Sequence, residues 1–351
     1  MASAELPPTF VPGFHDENDI RGTKYCQLWS NRHDCFKHDF SVVQHFGSVF
    51  RPTNEAESCA VTEAAIKSGI NMIDTAPWYG HGKSEAVLGK ILPKLPRKSY
   101  YLNTKVGRYE ADYAHMFNFS AERVMRSVDE SLQRLGAEYI DVIQIHDMEF
   151  APSLDIIVNE TLPALQKLKD SGKVKYIGIT GYPLENFREV IKRSPVKVDT
   201  VLTYCHGSMN DNSLQEFLPY LKSKGVGIIN ASLLSMGLLT NRGPSDWHPA
   251  SKEIRETCKN AAAYCQSKQV DISRIATHFS MIQPGIHTTL ISTASTKNLQ
   301  TNIDVLKHGI NNHEKQVMEE TMEKFFLPMK NTTWHGVEVA AYWRGLQEAK
   351  M

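Results

Sequence analysis

The chain has no surplus of either charge: 39 Lys and Arg stand against 39 Asp and Glu, for a formal net charge of zero. Nucleic acids and anionic membrane surfaces demand clustered positive charge, so neither is an expected partner. No stretch reaches the roughly 20 apolar residues that cross a bilayer. The opening residues, MASAELPPTFVPGF, lack the basic start and apolar core of a secretory signal. Cysteines are few and scattered (Cys26, Cys35, Cys59, Cys205, Cys258 and Cys265), with no CxxC pair. In a chain of 351 residues this spacing reads as reduced thiols, not a disulfide framework or a zinc site. A G-x-G-x-x-G turn is also missing, which counts against a doubly wound dinucleotide-binding sheet. The expected setting is the cytoplasm, and the expected partner a small molecule.

A hydrophobic fraction of 41% and a charged fraction of 22% are those of an ordinary globular protein. From about residue 60 onward, short apolar runs rich in β-branched residues alternate with longer segments of helical period. Strands are expected at 70–75, 100–105, 140–146, 174–180, 199–204, 226–232 and 288–292, with an eighth at 38–46. Helices are expected at 55–68, 84–94, 120–135, 159–171, 184–193, 212–224, 251–268 and 271–282. The alternation implies parallel strands joined by crossover helices, and eight such units in under 300 residues fit a closed (β/α)8 TIM barrel of the α/β class. A Pro-rich stretch over 1–20 reads as a flexible tail and 21–328 as one barrel domain. A C-terminal extension, 329–351, carries Trp334, Tyr342 and Trp343, aromatics suited to docking on the barrel.

Polar residues that close an apolar strand point into the mouth of such a barrel. Asp74 closes INMID, Lys105 closes YYLNTK, His146 closes IDVIQIH, and Tyr79 lies in the loop DTAPWYGHGKSE. Singly, each has a structural explanation: a helix cap, a charge at the rim, a packed imidazole. Together they make a proton-transfer device. A tyrosine hydroxyl titrates near pH 10, too high for acid–base work at neutral pH. A neighbouring lysine ammonium lowers that value, a buried aspartate holds the lysine, and a histidine orients a substrate oxygen. Such a group exchanges a proton with a carbonyl oxygen while hydride moves to or from a cofactor.

These segments, DTAPWYGHGKSEAVLGK, YLNTKVGRY, DVIQIHDMEF and ASLLSMGLL, resemble the diagnostic motifs of the aldo-keto reductase family. FNFSAERVMRSVDESLQRLGAEYIDV, ETLPALQKLKDSGKVKYIGITGYPL and YCHGSMND bring the resemblance closer to its L-galactose dehydrogenase-like branch. It spans about residues 47–305, with the motifs in order. The resemblance implies a TIM-barrel oxidoreductase of carbohydrate metabolism that binds NAD or NADP without a Rossmann domain. It implies the catalytic set Asp74, Tyr79, Lys105 and His146, with Tyr79 as general acid/base. For the cofactor it implies Thr180 and Tyr204 near the nicotinamide, and Ser232, Leu234 and Gly237 near the phosphates. Leu234 also reads as plain barrel packing. Ser292, Ser295, Asn298 and Asn302 are implied around the adenosine. Where NADP-preferring relatives place basic residues to grip a phosphate, this chain has Ser292, Ala294, Ser295 and Asn298, with Lys297 close by. NAD is therefore the expected preference. Trp78, His81, Asp147 and His206, with Asn210 and Asp211, are expected to line the substrate site. The resemblance further implies a monomer.

One segment departs from the family pattern. Where relatives open with a glycine-containing LGxTGxxVSxxxFG, this chain reads LWSNRHDCFKHDFSVVQHFGSVF. Reverse translation of residues 29–38 with a one-base shift permits G-Q-T-G-M-T-V-S-N-M, which restores the pattern. An unbroken transcript encoding WSNRHDCFKHDF excludes the shift. Beside sugar oxidation, a broad aldehyde or ketone reductase and a non-catalytic nicotinamide-binding regulator stay open. A metal-dependent barrel hydrolase has no H-x-H pair or carboxylate cluster at the strand ends to support it.

Overall fold

The computed structural model describes residues 6–23, 25, 28, 40–43, 54–293 and 295–349. Eight parallel strands form a closed barrel in the order of the chain. They are β1 (Phe40–Val43), β2 (Met72–Asp74), β3 (Tyr101–Val106), β4 (Ile140–Ile145), β5 (Val174–Gly181), β6 (Thr200–Tyr204), β7 (Gly227–Ala231) and β8 (Thr288–Ser292). The seam closes between β1 and β8, in register from Phe40 against Thr289 to Val43 against Ser292. Six of the eight strands fall within the segments that periodicity marks out, and β3 and β5 each run one residue beyond, to Val106 and Gly181. The altered segment 29–38 lies outside the described residues.

The strands read as apolar runs because both of their faces are covered. Inside the barrel, Met72, Val142, Tyr176, Leu202, Ile229 and Leu290 pack together, with Leu28 against them. Outside, the strands bury Ile143, Ile177, Val201 and Ile228 against the helix layer.

The helices in chain order are α1 (Glu17–Arg21), α2 (Glu55–Lys67), α3 (Lys83–Ile91), α4 (Ala121–Leu135), α5 (Leu154–Ile156), α6 (Leu162–Asp170), α7 (Leu184–Arg193), α8 (Leu214–Ser223), α9 (Lys252–Ser267), α10 (Ile272–Met281), α11 (Thr296–His308), α12 (Asn312–Thr321) and α13 (Val337–Glu348). Helix α4 shows the local logic. Ser120 caps its first turn by accepting from the Arg123 N–H, and Gly136 ends it at φ 61, the left-handed conformation that glycine adopts without strain. Val124, Val128 and Leu135 form its buried stripe. Gly89 lets α3 approach α4 closely, because a Cβ there would lie 2.0 Å from the Arg134 carbonyl oxygen.

Two expectations need correction. Residues 6–20 are not a loose tail: Asn71 Nδ2 donates to Thr9 Oγ1 (2.7 Å) and Ile20 is 1% exposed. Phe14 also packs on the cluster containing Leu88 and Leu102, so apolar burial holds a segment whose prolines suggested freedom. The helix expected at 159–171 begins earlier, at Leu154, and passes through a π turn at Ile157–Thr161. There the Thr161 hydroxyl donates to the carbonyl of Phe119 (2.6 Å).

Candidate active site

Asp74 is the last residue of β2, Lys105 lies near the end of β3, and His146 follows β4. Side chains alternate along a strand, so Asn103 and Lys105 share one face. The β2–β3 register sets Asn103 opposite Asp74. Asn103 Nδ2 donates to Asp74 Oδ2 and Lys105 Nζ donates to Asp74 Oδ1, both at 2.5 Å. Lys105 Nζ also donates to the Thr75 carbonyl at 2.9 Å. Both charged side chains are essentially enclosed, at 2% and 1% exposure. Tyr79 comes from the loop after β2, and the Lys105 ammonium lies 4.8 Å from its ring centroid. The His146 ring meets the Tyr79 ring edge-on, with centroids 5.6 Å apart. The four residues singled out in the sequence therefore converge on one end of the barrel.

Burial pushes the Lys105 ammonium down, but the Asp74 carboxylate and the Tyr79 oxygen outweigh it and hold Lys105 above its usual value. Burial pulls Asp74 upward against Lys105 and Asn103. With two short donors on its oxygens, Asp74 is held as the carboxylate partner of a charged lysine. For Tyr79 the outcome differs from the sequence expectation. Burial raises its hydroxyl to about 12, against the lowering pull of Lys105. Lysine acts in the expected direction, but desolvation of the phenolate wins. Tyr79 thus stands at neutral pH as a phenol, a proton donor.

The remaining expected substrate residues divide into two groups. Trp78 and His81 lie together edge-on at 5.2 Å, and His81 Nδ1 contacts the Tyr109 carbonyl at 3.1 Å. Asp147, at φ 50, pairs with Arg108 Nη1 (2.6 Å). Its N–H donates to Thr180 Oγ1 at 2.9 Å, so the Thr180 hydroxyl is engaged within the protein. His206 is fully buried, in a network with Asp211 (2.8 Å), the Tyr182 carbonyl (2.7 Å), Ser213 (3.0 Å) and His335 (3.1 Å). It ties the loop after β6 to the C-terminal segment. Tyr204 stacks on Tyr182, which stacks in turn on Trp334, with centroids 5.1 and 5.0 Å apart.

The C-terminal segment also delivers Glu338, whose Oε2 accepts from the Tyr204 hydroxyl at 3.5 Å. Burial and then Asp147 hold Glu338 above the usual carboxylate value, while Arg108 lowers it. Glu149 is raised to about 8, first by burial and then by Asp147. Sequence reading missed Arg108, Tyr182, Glu149, His335 and Glu338. Only GRY after the β3 lysine and the acid in HDME hinted at any of them.

The loop after β7 turns sharply, with Ser232 at φ 55, Ser235 at φ 47, Met236 at φ 52 and Gly237 at φ 105. Leu234 packs between two apolar clusters, the structural role weighed for it above. Asn210 Oδ1 accepts from Ser208 Oγ (3.1 Å) and Ser235 Oγ (2.5 Å), while its buried Nδ2 has no partner among the described residues. Asn230 Oδ1 is likewise buried and unpartnered. A nicotinamide dinucleotide needs donors for its phosphates and an acceptor for its carboxamide, and these atoms fit such a group. Ser292 ends β8. Ser295 caps α11 by accepting from the Asn298 N–H at 3.5 Å, with Asn302 two turns along the helix. Among the described residues no group of three or more His, Cys, Asp or Glu could hold a metal, and no helix is long and apolar enough to cross a membrane.

Comparison with known proteins agrees with this geometry. The pattern of the Aldo/keto reductase family matches residues 43–323. The chain is 46% identical to L-galactose dehydrogenase of Arabidopsis thaliana over 291 residues, covering 82% of this chain and 90% of that one. It is 33% identical to D-arabinose 1-dehydrogenase of Saccharomyces cerevisiae, covering 80% and 89%. Among solved structures, an aldo-keto reductase of Bacillus halodurans in its holo form shares the fold. The TM-score is 0.67 at 22% identity, over 85% of this chain and 96% of that one. With a closed barrel, a buried Asp–Lys pair under a tyrosine, and a family match over most of its length, the chain is an oxidoreductase of the aldo/keto reductase family.

Proposed function

We propose that the protein is an NAD-linked aldose dehydrogenase that oxidises a free sugar such as L-galactose at its anomeric carbon, giving the lactone. The observation that carries this reading is the gathering of Tyr79, Lys105, Asp74 and His146 at one mouth. It is supported by similarity to L-galactose dehydrogenase and to D-arabinose 1-dehydrogenase. A bound nicotinamide supplies the hydride acceptor. Tyr79 takes the proton of the anomeric hydroxyl, Lys105 favours the phenolate that must form, and Asp74 keeps Lys105 charged and placed. His146 orients the sugar oxygen. Trp78 offers an apolar wall, and the carboxylates of Asp147 and Glu338 are strong acceptors for sugar hydroxyls.

The preference for NAD rests on the segment after β8. The Arg274 guanidinium, which lines a surface hollow with Lys297 and Thr301, is already bound by Asp304 (2.9 Å) and Glu314 (2.8 Å). A 2′-phosphate would meet Lys297 without an arginine fork. Comparable kcat/KM for NADPH and NADH overturns this preference. The test of function is L-galactose-dependent reduction of NAD⁺ at 340 nm by the wild type, with Tyr79→Phe as control. Since burial holds Tyr79 as the phenol, sugar oxidation should accelerate as pH rises, and carbonyl reduction should not. No turnover of any free aldose, from a protein that binds NADH, overturns the sugar reading and leaves a reductase of simple aldehydes.

A further inference from the structure

We infer that Arg108, on the loop leaving β3, is a positioning residue that fixes Tyr79 and His146 relative to one another by gripping the chain neighbour of each. The inference rests on the catalytic roles proposed above for those two residues.

Trp78 immediately precedes Tyr79, and the Arg108 guanidinium lies 4.1 Å from the Trp78 ring centroid. Asp147 immediately follows His146, and Arg108 Nη1 donates to Asp147 Oδ2 at 2.6 Å. Arg108 is itself three residues beyond Lys105. One planar cation therefore joins the segments that carry three of the four catalytic side chains. Its own place is fixed by the short antiparallel bridge between Arg108 and Phe117. The rings of Phe117 and Phe150, themselves stacked at 4.5 Å, lie 5.1 and 5.7 Å from the guanidinium. Asp147 holds a left-handed backbone at φ 50, a conformation uncommon outside glycine and sustained only where surrounding contacts over-determine it. The Arg108 pair and the Asp147 N–H bond to Thr180 supply those contacts.

The pair also has an electrostatic consequence. Asp147 Oδ2 lies 3.7 Å from His146 Nε2, so a lone carboxylate there would favour the imidazolium. Arg108 binds that same oxygen and offsets its charge. Tyr79 meets the His146 ring edge-on, with Lys105 and Asp74 behind it, and Glu149, after β4, acts on Asp147. Glu338, from α13, adds negative charge beside Asp147. Removing Arg108 would loosen the alignment and expose His146 to an uncompensated anion, two effects that can be separated.

The test uses the full chain as Arg108→Met, Arg108→Lys, Asp147→Asn, the double variant Arg108→Met/Asp147→Asn, and Tyr79→Phe. The readouts are NADH binding by nicotinamide fluorescence, thermal unfolding, kcat and KM, and the pH profile of kcat. Arg108→Met should lower kcat by about 10–100-fold, since a misplacement of about 1 Å costs that much, with NADH affinity retained. The histidine-linked limb of its pH profile should move to higher pH by about one unit. The double variant should return that limb to the wild-type position while kcat stays low. Arg108→Lys keeps the charge without the planar stack, so it should restore the limb but not kcat. Wild-type kcat and an unmoved profile in Arg108→Met overturn the inference. So does a fall in kcat matched by equal losses of NADH binding and thermal stability, which would mark a purely structural role. Near-wild-type activity in Tyr79→Phe overturns the catalytic assignment itself. An inactive Tyr79→Phe beside an unaffected Arg108→Met removes only Arg108's role.

Discussion

On the β2–β4 side of the mouth, charge holds the polar side chains in place, whereas on the β5–β7 side stacked rings do so. Asp74, Lys105, Asn103, Arg108 and Asp147 are joined by contacts of 2.5–2.6 Å between oppositely polarised atoms. Tyr204, Tyr182, Trp334 and His206 lie in ring contacts of 4.4–5.1 Å, closed by a segment from the far end of the chain. The difference suits the two tasks of the proposed reaction. Moving a proton needs a fixed field, and buried ion pairs give one at a high desolvation cost. Enclosing a flat ring and a sugar needs a shaped surface, which aromatic side chains provide with little conformational entropy to lose. The charged side should therefore fail in turnover, and the aromatic side in stability and substrate affinity.

The largest expected effect is on the charged side. Tyr79→Phe should lower kcat by about 10²–10⁴-fold, the usual worth of a general acid or base, with NADH binding intact. Lys105→Met should also abolish turnover. It leaves Asp74, at 1% exposure, as a buried carboxylate without its cation, so urea unfolding should show a loss of about 3–5 kcal/mol. On the aromatic side, Trp334→Ala removes a ring that is 3% exposed and should cost about 3 kcal/mol by thermal unfolding, with sugar KM rising more than kcat falls. If Trp334→Ala instead lowers kcat at unchanged KM, the division between the two sides is wrong.

A fourth effect depends on pH. Glu149 is raised to about 8 from an ordinary 4.5, so the fold favours its protonated form. The stability this gives is fully present below about pH 4.5 and lost as pH rises through 8. Glu149→Gln should therefore gain on the wild type, by on the order of 1–3 kcal/mol, when thermal unfolding is compared at pH 9 and pH 5. An equal difference at both pH values would show that Glu149 is not held protonated. The smallest effect lies away from the mouth. Ser120→Ala removes the cap of α4 and should cost about 1 kcal/mol, with kcat and KM unchanged.

The two sides were also unequally legible in the sequence. Asp74, Lys105 and His146 are polar residues at the ends of apolar runs, and a strand of fixed period sends such residues to one rim. Glu338 and His335 sit in a segment of no distinctive period, more than 120 residues from their partners Tyr204 and His206. Nothing local announces such contacts. Arg108 lay in view within the GRY turn, but its role depends on Trp78 and Asp147 arriving from two other loops. The prolines of residues 6–20 misled in the opposite direction, because composition suggested freedom where Ile20 and Thr9 find partners on the barrel.

The sequence by itself determined the barrel, its eight strands and the meeting of Asp74, Lys105 and His146 at one rim, because period and strand-end polarity are local and the barrel turns them into position. The tertiary structure decided the net state of Tyr79, the coupling of Tyr79 and His146 through Arg108, and the closure of the mouth by the C-terminal segment. Each of these depends on how much water is excluded and which distant side chains meet. Desolvation and long-range contact exist only once the chain has folded.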